Sequence, residues 1–74
     1  MQVIPSYKQV KYIRECYPAG TRVELISMDD PYSNLKAGDR GTIQGVDDMG
    51  SIMVHWECGS SLSLIPGVDR FKVL

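Results

Sequence analysis

The alternation of apolar and polar residues after Gly20 is the feature that most limits the folds open to this chain. Five short segments separated by turn residues are predicted strands: 21–27, 40–47, 51–57, 61–65 and 70–74. A period of two indicates strands that each bury one face. About 55 residues are too few for a two-sheet immunoglobulin sandwich, but they suit one small, strongly bent barrel. We predict a mainly β fold, with an SH3-like barrel of about five antiparallel strands over residues 20–74.

Residues 1–19 show a different period and are predicted to form a short N-terminal helix and its linker. Apolar residues recur there at spacings of three and four, which indicates an amphipathic helix over residues 6–16. The apolar stripe consists of Tyr7, Val10, Ile13 and Tyr17. Ser6 is the expected N-cap with Gln9 completing a capping box, and Pro18 ends the helix. We expect the stripe to dock on the β part of the chain.

The charge is nearly balanced over the whole chain but not along it. Eight Lys and Arg residues oppose nine Asp and Glu residues, a net charge of -1 that argues against strong nonspecific binding of nucleic acid. Residues 1–19 carry three basic residues and one acidic residue, whereas residues 20–74 carry five basic and eight acidic residues. The predicted helix is therefore basic and the predicted barrel acidic.

The small size of the chain assigns most large apolar residues to the core. A domain of 74 residues buries only about 60% of its unfolded surface, so few apolar side chains are free for other roles. Trp56 has the same parity as Ile52 and Val54 in the third predicted strand. We therefore expect Trp56 in the core rather than in a ligand site.

A set of motifs follows the predicted helix. They are Tyr17 with Pro18, residues 20–23 (GTRV), 25–32 (LISMDDPY), 41–42 (GT), 45–48 (GVDD), Gly50, Trp56, 59–62 (GSSL) and 64–69 (LIPGVD). Together they resemble the domain of unknown function 4314 family over about residues 17–74. The resemblance implies a small bacterial protein of a group often carried by phages, plasmids and conjugative elements, without assigned activity or catalytic residues. Residues 38–43 (GDRGTI) are also similar to the KOW-type turn and strand of ribosomal SH3-like barrels, which supports the predicted barrel.

The residue types of a catalytic site are present, but their pattern does not favour catalysis. Cys58, His55 and either Asp47 or Asp48 supply the types of a nucleophile, a base and an orienting group. His55 is expected to point outward from a strand, and a domain this small has little volume from which to exclude water. Cys16 and Cys58 have neither metal-ligand spacing nor the density of a disulfide framework. We predict no enzyme activity and no cofactor.

Four aspartates and one tyrosine form the predicted partner-binding surface: Asp29, Asp30, Tyr32, Asp47 and Asp48. The aspartates lack the ligand spacing of a calcium loop, so we predict turn capping by their carboxylates rather than a metal site. An exposed Tyr32 beside acidic residues suits a basic, partly apolar protein surface, although Tyr32 packed on the barrel would order its own loop instead. We predict a noncatalytic module that binds a protein partner. The resemblance implies an accessory or inhibitor from a phage or mobile element.

The alternative prediction is nucleic-acid binding by basic residues: Lys8, Lys11, Arg14, Arg22 and Arg40. Lys8, Lys11 and Arg14 follow the rise of the helix and lie on one stripe that could contact phosphates, although such a stripe is also typical of a solvated helix face. No segment has the length and apolarity of a membrane span or a signal peptide, so we expect a cytoplasmic protein that is a monomer or a weak homodimer.

Overall fold

The computed structural model describes residues 6–28 and 34–74, which form one helix and one antiparallel sheet. The elements are α1 (Tyr7–Cys16), β1 (Arg22–Ser27), β2 (Arg40–Val46), β3 (Ile52–Trp56) and β4 (Arg70–Val73). The strand order in the sheet is β3-β2-β1-β4. The prediction of a mainly β fold with a short N-terminal helix is confirmed. The closed SH3-like barrel stays a prediction.

The helix α1 begins as the sequence predicts. The Ser6 hydroxyl accepts a hydrogen bond from the Gln9 backbone N–H at 3.3 Å, and the Gln9 side-chain oxygen accepts one from the Ser6 N–H at 2.8 Å. Together these bonds form the predicted capping box. No helix in the part of the chain that the structure describes has the length and apolarity needed to cross a membrane.

The predicted apolar stripe of α1 is correct except at its first residue. Val10 is buried, and Ile13 and Tyr17 pack against the core. Tyr7, in contrast, is 77% exposed. The helix is bonded to the sheet near its C-terminal end, where Arg14 donates to the Val46 carbonyl, so its first turn leaves Tyr7 in solvent.

The core lies on one face of the sheet, and Trp56 is its largest fully buried side chain. Trp56 is fully buried, as predicted from its parity with Ile52 and Val54. Its indole N–H donates a hydrogen bond to the Leu62 carbonyl at 2.8 Å. Gly41 lies opposite Trp56, and a Cβ there would lie 2.6 Å from Val54 Cγ1, so β2 needs a glycine at this position.

The prediction of a fifth strand over residues 61–65 is wrong, because its backbone groups bond elsewhere. In this segment only Leu64 forms a β-bridge, with Ile52. The Leu62 carbonyl accepts the Trp56 indole N–H, and the Ile65 N–H donates to the Asp69 carboxylate at 2.9 Å. Leu64 is fully buried, whereas Leu62 is 37% exposed.

Candidate functional site

The turn between β2 and β3 is held in place by the Asp47 carboxylate. One carboxylate oxygen accepts hydrogen bonds from the Met49 N–H at 3.0 Å and from the Ser51 N–H at 2.9 Å. The Asp47 N–H also donates to the Ser51 carbonyl, and the Gly50 N–H donates to the Asp47 carbonyl. The prediction that aspartates cap turns is confirmed for Asp47. Its carboxylate therefore fixes the shape of the turn.

The next two residues project from this turn. The Asp48 side chain is fully exposed, and Met49 is 56% exposed. An Asp48 carboxylate oxygen accepts a hydrogen bond from Arg14 Nη2 at 2.9 Å, while Arg14 Nε donates to the Val46 carbonyl at 3.0 Å. The sequence placed Asp48 on an acidic surface and Arg14 on a separate basic stripe. In the structure these two side chains form one ion pair.

An open groove of about 390 Å³ lies beside this ion pair. It is lined by Arg14, Tyr17, Pro18, Ala19, Gly45 and Val46. One wall is the end of α1 and its linker, and the other is the β-bulge between Ile43 and Gly45 in β2. Since Val46 directly precedes Asp47, the groove adjoins the exposed turn. Neither the groove nor its link to the turn follows from local sequence patterns, because its two walls are far apart in the chain.

The other two arginines considered for nucleic-acid binding are also paired with carboxylates. Arg40 Nε donates to a Glu24 carboxylate oxygen at 3.0 Å. Arg22 forms an ion pair with Glu57, and its other terminal nitrogen donates to the Thr42 hydroxyl at 2.9 Å. The Arg40–Glu24 and Arg22–Thr42 contacts join the neighbouring strands β1 and β2, whereas Glu57 directly follows the end of β3.

Glu24 is shared between two cations. Its second carboxylate oxygen lies 3.3 Å from Lys72 Nζ, and Arg40 and Lys72 are its register partners in β2 and β4. Hydrogen bonds from Arg40 and then Lys72 hold the pKa of the Glu24 carboxyl below its usual value. Strand parity predicts that Glu24 and Lys72 point outward. The pairing depends on strand register, which the sequence analysis did not establish.

The two lysines of the predicted basic stripe remain on the surface. Lys8 and Lys11 are exposed on α1, and neither makes an ion pair with another residue in 6–28 or 34–74. The predicted contact residues Asp29, Asp30 and Tyr32 lie outside the described residues. Their proximity to the turn stays a prediction.

The histidine and the cysteines considered for catalysis or metal binding lie on the surface. His55 and Cys58 are exposed, and Cys16 and Cys58 are free cysteines. A hydrogen bond with Cys16 raises the pKa of the Tyr12 phenol on the exposed side of α1. Across the two described ranges, no three His, Cys, Asp or Glu residues are grouped as metal ligands would be.

Comparison with known proteins identifies a family. A search of curated proteins and a search of solved structures each found no match. A family model with the description "Domain of unknown function (DUF4314)" matches residues 6–74, which include α1 and all four strands. The match extends the resemblance seen in residues 17–74 to the helix. The chain therefore belongs to the DUF4314 family.

Proposed function

We propose that this domain is a noncatalytic module that binds a protein partner through an acidic and apolar surface. The described part of this surface consists of Asp48, Met49 and the adjoining groove, and we call it the turn surface. Asp29, Asp30 and Tyr32 belong to the proposed surface on sequence grounds. The observation that carries the proposal is the Asp48 side chain, which is fully exposed on a turn that other residues hold in place. One of its carboxylate oxygens pairs with Arg14, and a basic residue of a partner would approach the other.

The rigidity of the turn favours recognition. Asp47 uses its carboxylate to bind two backbone amides, so Asp48 and Met49 are presented without a large loss of conformational freedom on binding. The exposed Met49 side chain offers a polarizable apolar contact, and the groove that Val46 lines begins at the base of the same turn. A partner with a basic residue next to an apolar residue complements both features.

The ion pairs of the arginines weigh against the nucleic-acid alternative. Arg14, Arg22 and Arg40 each contact a carboxylate of this chain, which lowers the net positive charge available to phosphates. Lys8 and Lys11 favour the alternative, because both are exposed on one helix. Two lysines release few counterions, and the resulting affinity is low at physiological salt.

The proposed biological setting rests on the family resemblance. We propose that the domain acts as an accessory or inhibitor of a protein partner in phages or other mobile elements. The negative charge of residues 20–74 favours a basic partner, such as a protein that handles nucleic acid.

The test is quantitative affinity capture from the source cell with tagged wild-type protein and Asp48→Lys. Reversing a charge at an interface costs at least about 1.4 kcal/mol, so we expect recovery of the partner to fall about tenfold. Glu15→Lys is the matched control, since it makes the same change at an exposed position on α1 and should retain the partner. Tyr32→Ala tests the part of the surface that lies outside the described residues.

Equal recovery by wild type and Asp48→Lys would show that the turn surface is not the binding site. Loss of every captured protein after nuclease treatment would favour the nucleic-acid alternative. A captured partner is then purified and titrated against the same variants by calorimetry, which separates direct from indirect capture.

A further inference from the structure

The strand β4 leaves backbone hydrogen-bonding groups directed away from the sheet. The Leu74 N–H donates to the Arg22 carbonyl at 2.9 Å, so the even-numbered residues of this strand face β1. Leu25 bonds on the opposite side of β1, to Gly38 and Asp39. Alternate residues of an antiparallel strand point to the same neighbour. The N–H and C=O groups of the odd-numbered residues, Phe71 and Val73, therefore point outward from the edge.

The opposite edge of the sheet is covered by the chain itself. Ile52 in β3 exchanges two hydrogen bonds of 2.8 Å with Leu64, and the Trp56 N–H donates to the Ser60 carbonyl at 3.0 Å. Within residues 6–28 and 34–74, no segment pairs in this way with the outer side of β4. An open edge strand is a template for a further strand.

The exposure and charge of the β4 side chains indicate which side chains an added strand would need. Val73 is the register partner of Val23, which is fully buried, yet Val73 itself is 52% exposed. The core is thus uncovered at this edge, and an apolar side chain from an added strand would cover it. Arg70 and Lys72 alternate with the apolar residues and are exposed. The single carboxylate of Glu24 is already shared by two cations, so this row of the outer face has an excess of positive charge.

We propose that β4 binds an extended segment of a partner protein in which acidic residues alternate with apolar residues. The backbone groups of Phe71 and Val73 supply main-chain hydrogen bonds, and the two faces of the added strand match the charge and the apolar surface of β4. This site is distinct from the turn surface and selects the opposite charge.

A second copy of the chain fits this edge poorly. Antiparallel pairing that uses the outward groups of both Phe71 and Val73 places Lys72 opposite Lys72 of the second copy. Shifting the register to pair Phe71 with its counterpart places Arg70 opposite Lys72. Like charges directly opposed across strands are destabilising, whereas an acidic residue at either position is favourable.

The experiment is selection of a displayed random peptide library against the immobilised full chain, followed by binding measurements on synthetic peptides. We expect enriched peptides in which Asp or Glu alternates with apolar residues, and we expect Arg70→Glu to enrich basic residues instead. Amide shifts in the bound state, measured by nuclear magnetic resonance, should be largest in β4 and small at Asp48 and Met49.

Val73→Pro tests the backbone directly, because it removes an N–H that points away from β1 and leaves the β1 ladder intact. Val73→Ala is the matched control, since it shortens the side chain and keeps the N–H. We expect the proline variant to bind at least about fivefold more weakly than the alanine variant. If the proline variant does not fold, N-methylation of the peptide supplies the same test. N-methylation of the alternate peptide residues whose N–H groups face β4 should abolish binding. N-methylation of the residues between them should not.

Three outcomes overturn the proposal. The first is that no peptide is enriched, or that enriched peptides lack acid–apolar alternation. The second is that binding is insensitive to Val73→Pro or to the parity of N-methylation. The third is sedimentation that shows self-association through β4, which makes the occupant a second copy. Basic peptides that shift only Asp48 and Met49 support the proposed function while contradicting the proposal for β4.

Discussion

The two faces of the sheet use the same strands in opposite ways. On the inner face, Trp56 and its neighbours are almost inaccessible to solvent, and the fit at Gly41 leaves no room for a methyl group. On the outer face, Glu24, Arg40 and Lys72 form ion pairs across strands while remaining partly exposed. Burial of apolar area stabilises a fold far more than exposed ion pairs do. The inner face therefore determines stability, and the outer face determines which charges the sheet exposes.

The largest expected effect is on the inner face, for Gly41→Ala. The added Cβ would lie 2.6 Å from Val54 Cγ1 and 2.8 Å from the His55 carbonyl oxygen, and a backbone atom cannot move aside as a side chain can. We expect a loss of about 3 kcal/mol in the free energy of unfolding, measured by urea titration. Gln44→Ala, at an exposed position of the same strand, should change it by less than about 0.5 kcal/mol. A Gly41→Ala protein as stable as wild type would refute the close fit.

Trp56→Phe should have the next largest effect. It removes the indole N–H that donates to the Leu62 carbonyl and leaves a small cavity, for a loss of about 2 kcal/mol. Hydrogen exchange should quicken at Leu64 more than in β1, because the indole anchors the segment that covers β3. The exposed neighbour His55→Ala is the control. Uniform quickening over all strands would mean that the indole does not anchor this segment.

The turn between β2 and β3 lies outside both faces and gives an intermediate effect. Asp47→Ala removes the acceptor for two backbone amides and should cost about 1 kcal/mol in the same urea titration. Asp47→Asn retains an acceptor oxygen and should cost less. Equal losses for both variants would indicate that the negative charge, rather than the hydrogen bonding, holds the turn.

The smallest effect is expected on the outer face, for Glu24→Gln. Because the folded state holds the pKa of Glu24 below its usual value, this carboxylate stabilises the fold at pH values above the ordinary glutamate pKa of about 4.3. That stabilisation is lost as the pH falls through the folded-state pKa. A plot of the free energy of unfolding against pH should therefore be less steep in this acidic range for Glu24→Gln than for wild type. An unchanged slope for Glu24→Gln would contradict the shared ion pair.

Structural features that depend on residues close together in the chain were predictable from the sequence. The capping box at Ser6 and Gln9 involves residues three positions apart, and the burial of Trp56 follows from strand parity. The strand predicted over residues 61–65 failed because an indole N–H and the Asp69 carboxylate take backbone groups that a ladder would use. The alternation of apolar and polar residues does not indicate where a side chain competes with a neighbouring strand for backbone hydrogen bonds.

The candidate site was only partly predictable, since its contacts join distant parts of the chain. Asp48 was expected on the surface, but its ion pair with Arg14 depends on where α1 crosses β2. The pairing of Arg40 with Glu24 likewise depends on register between strands. Charge counts along the sequence therefore overstated the number of unpaired basic side chains.

The central claim is that Arg14, Arg22 and Arg40 are matched by carboxylates of this chain, and the proposal that rests on it is a protein partner rather than a nucleic acid. Fluorescence anisotropy of labelled single- and double-stranded oligonucleotides at low salt tests it most directly. A Glu24→Gln/Glu57→Gln double variant, which frees Arg22 and Arg40, serves as the comparison. We predict no binding by wild type at micromolar protein and measurable, salt-sensitive binding by the double variant. Micromolar binding by wild type that weakens with salt would contradict the account.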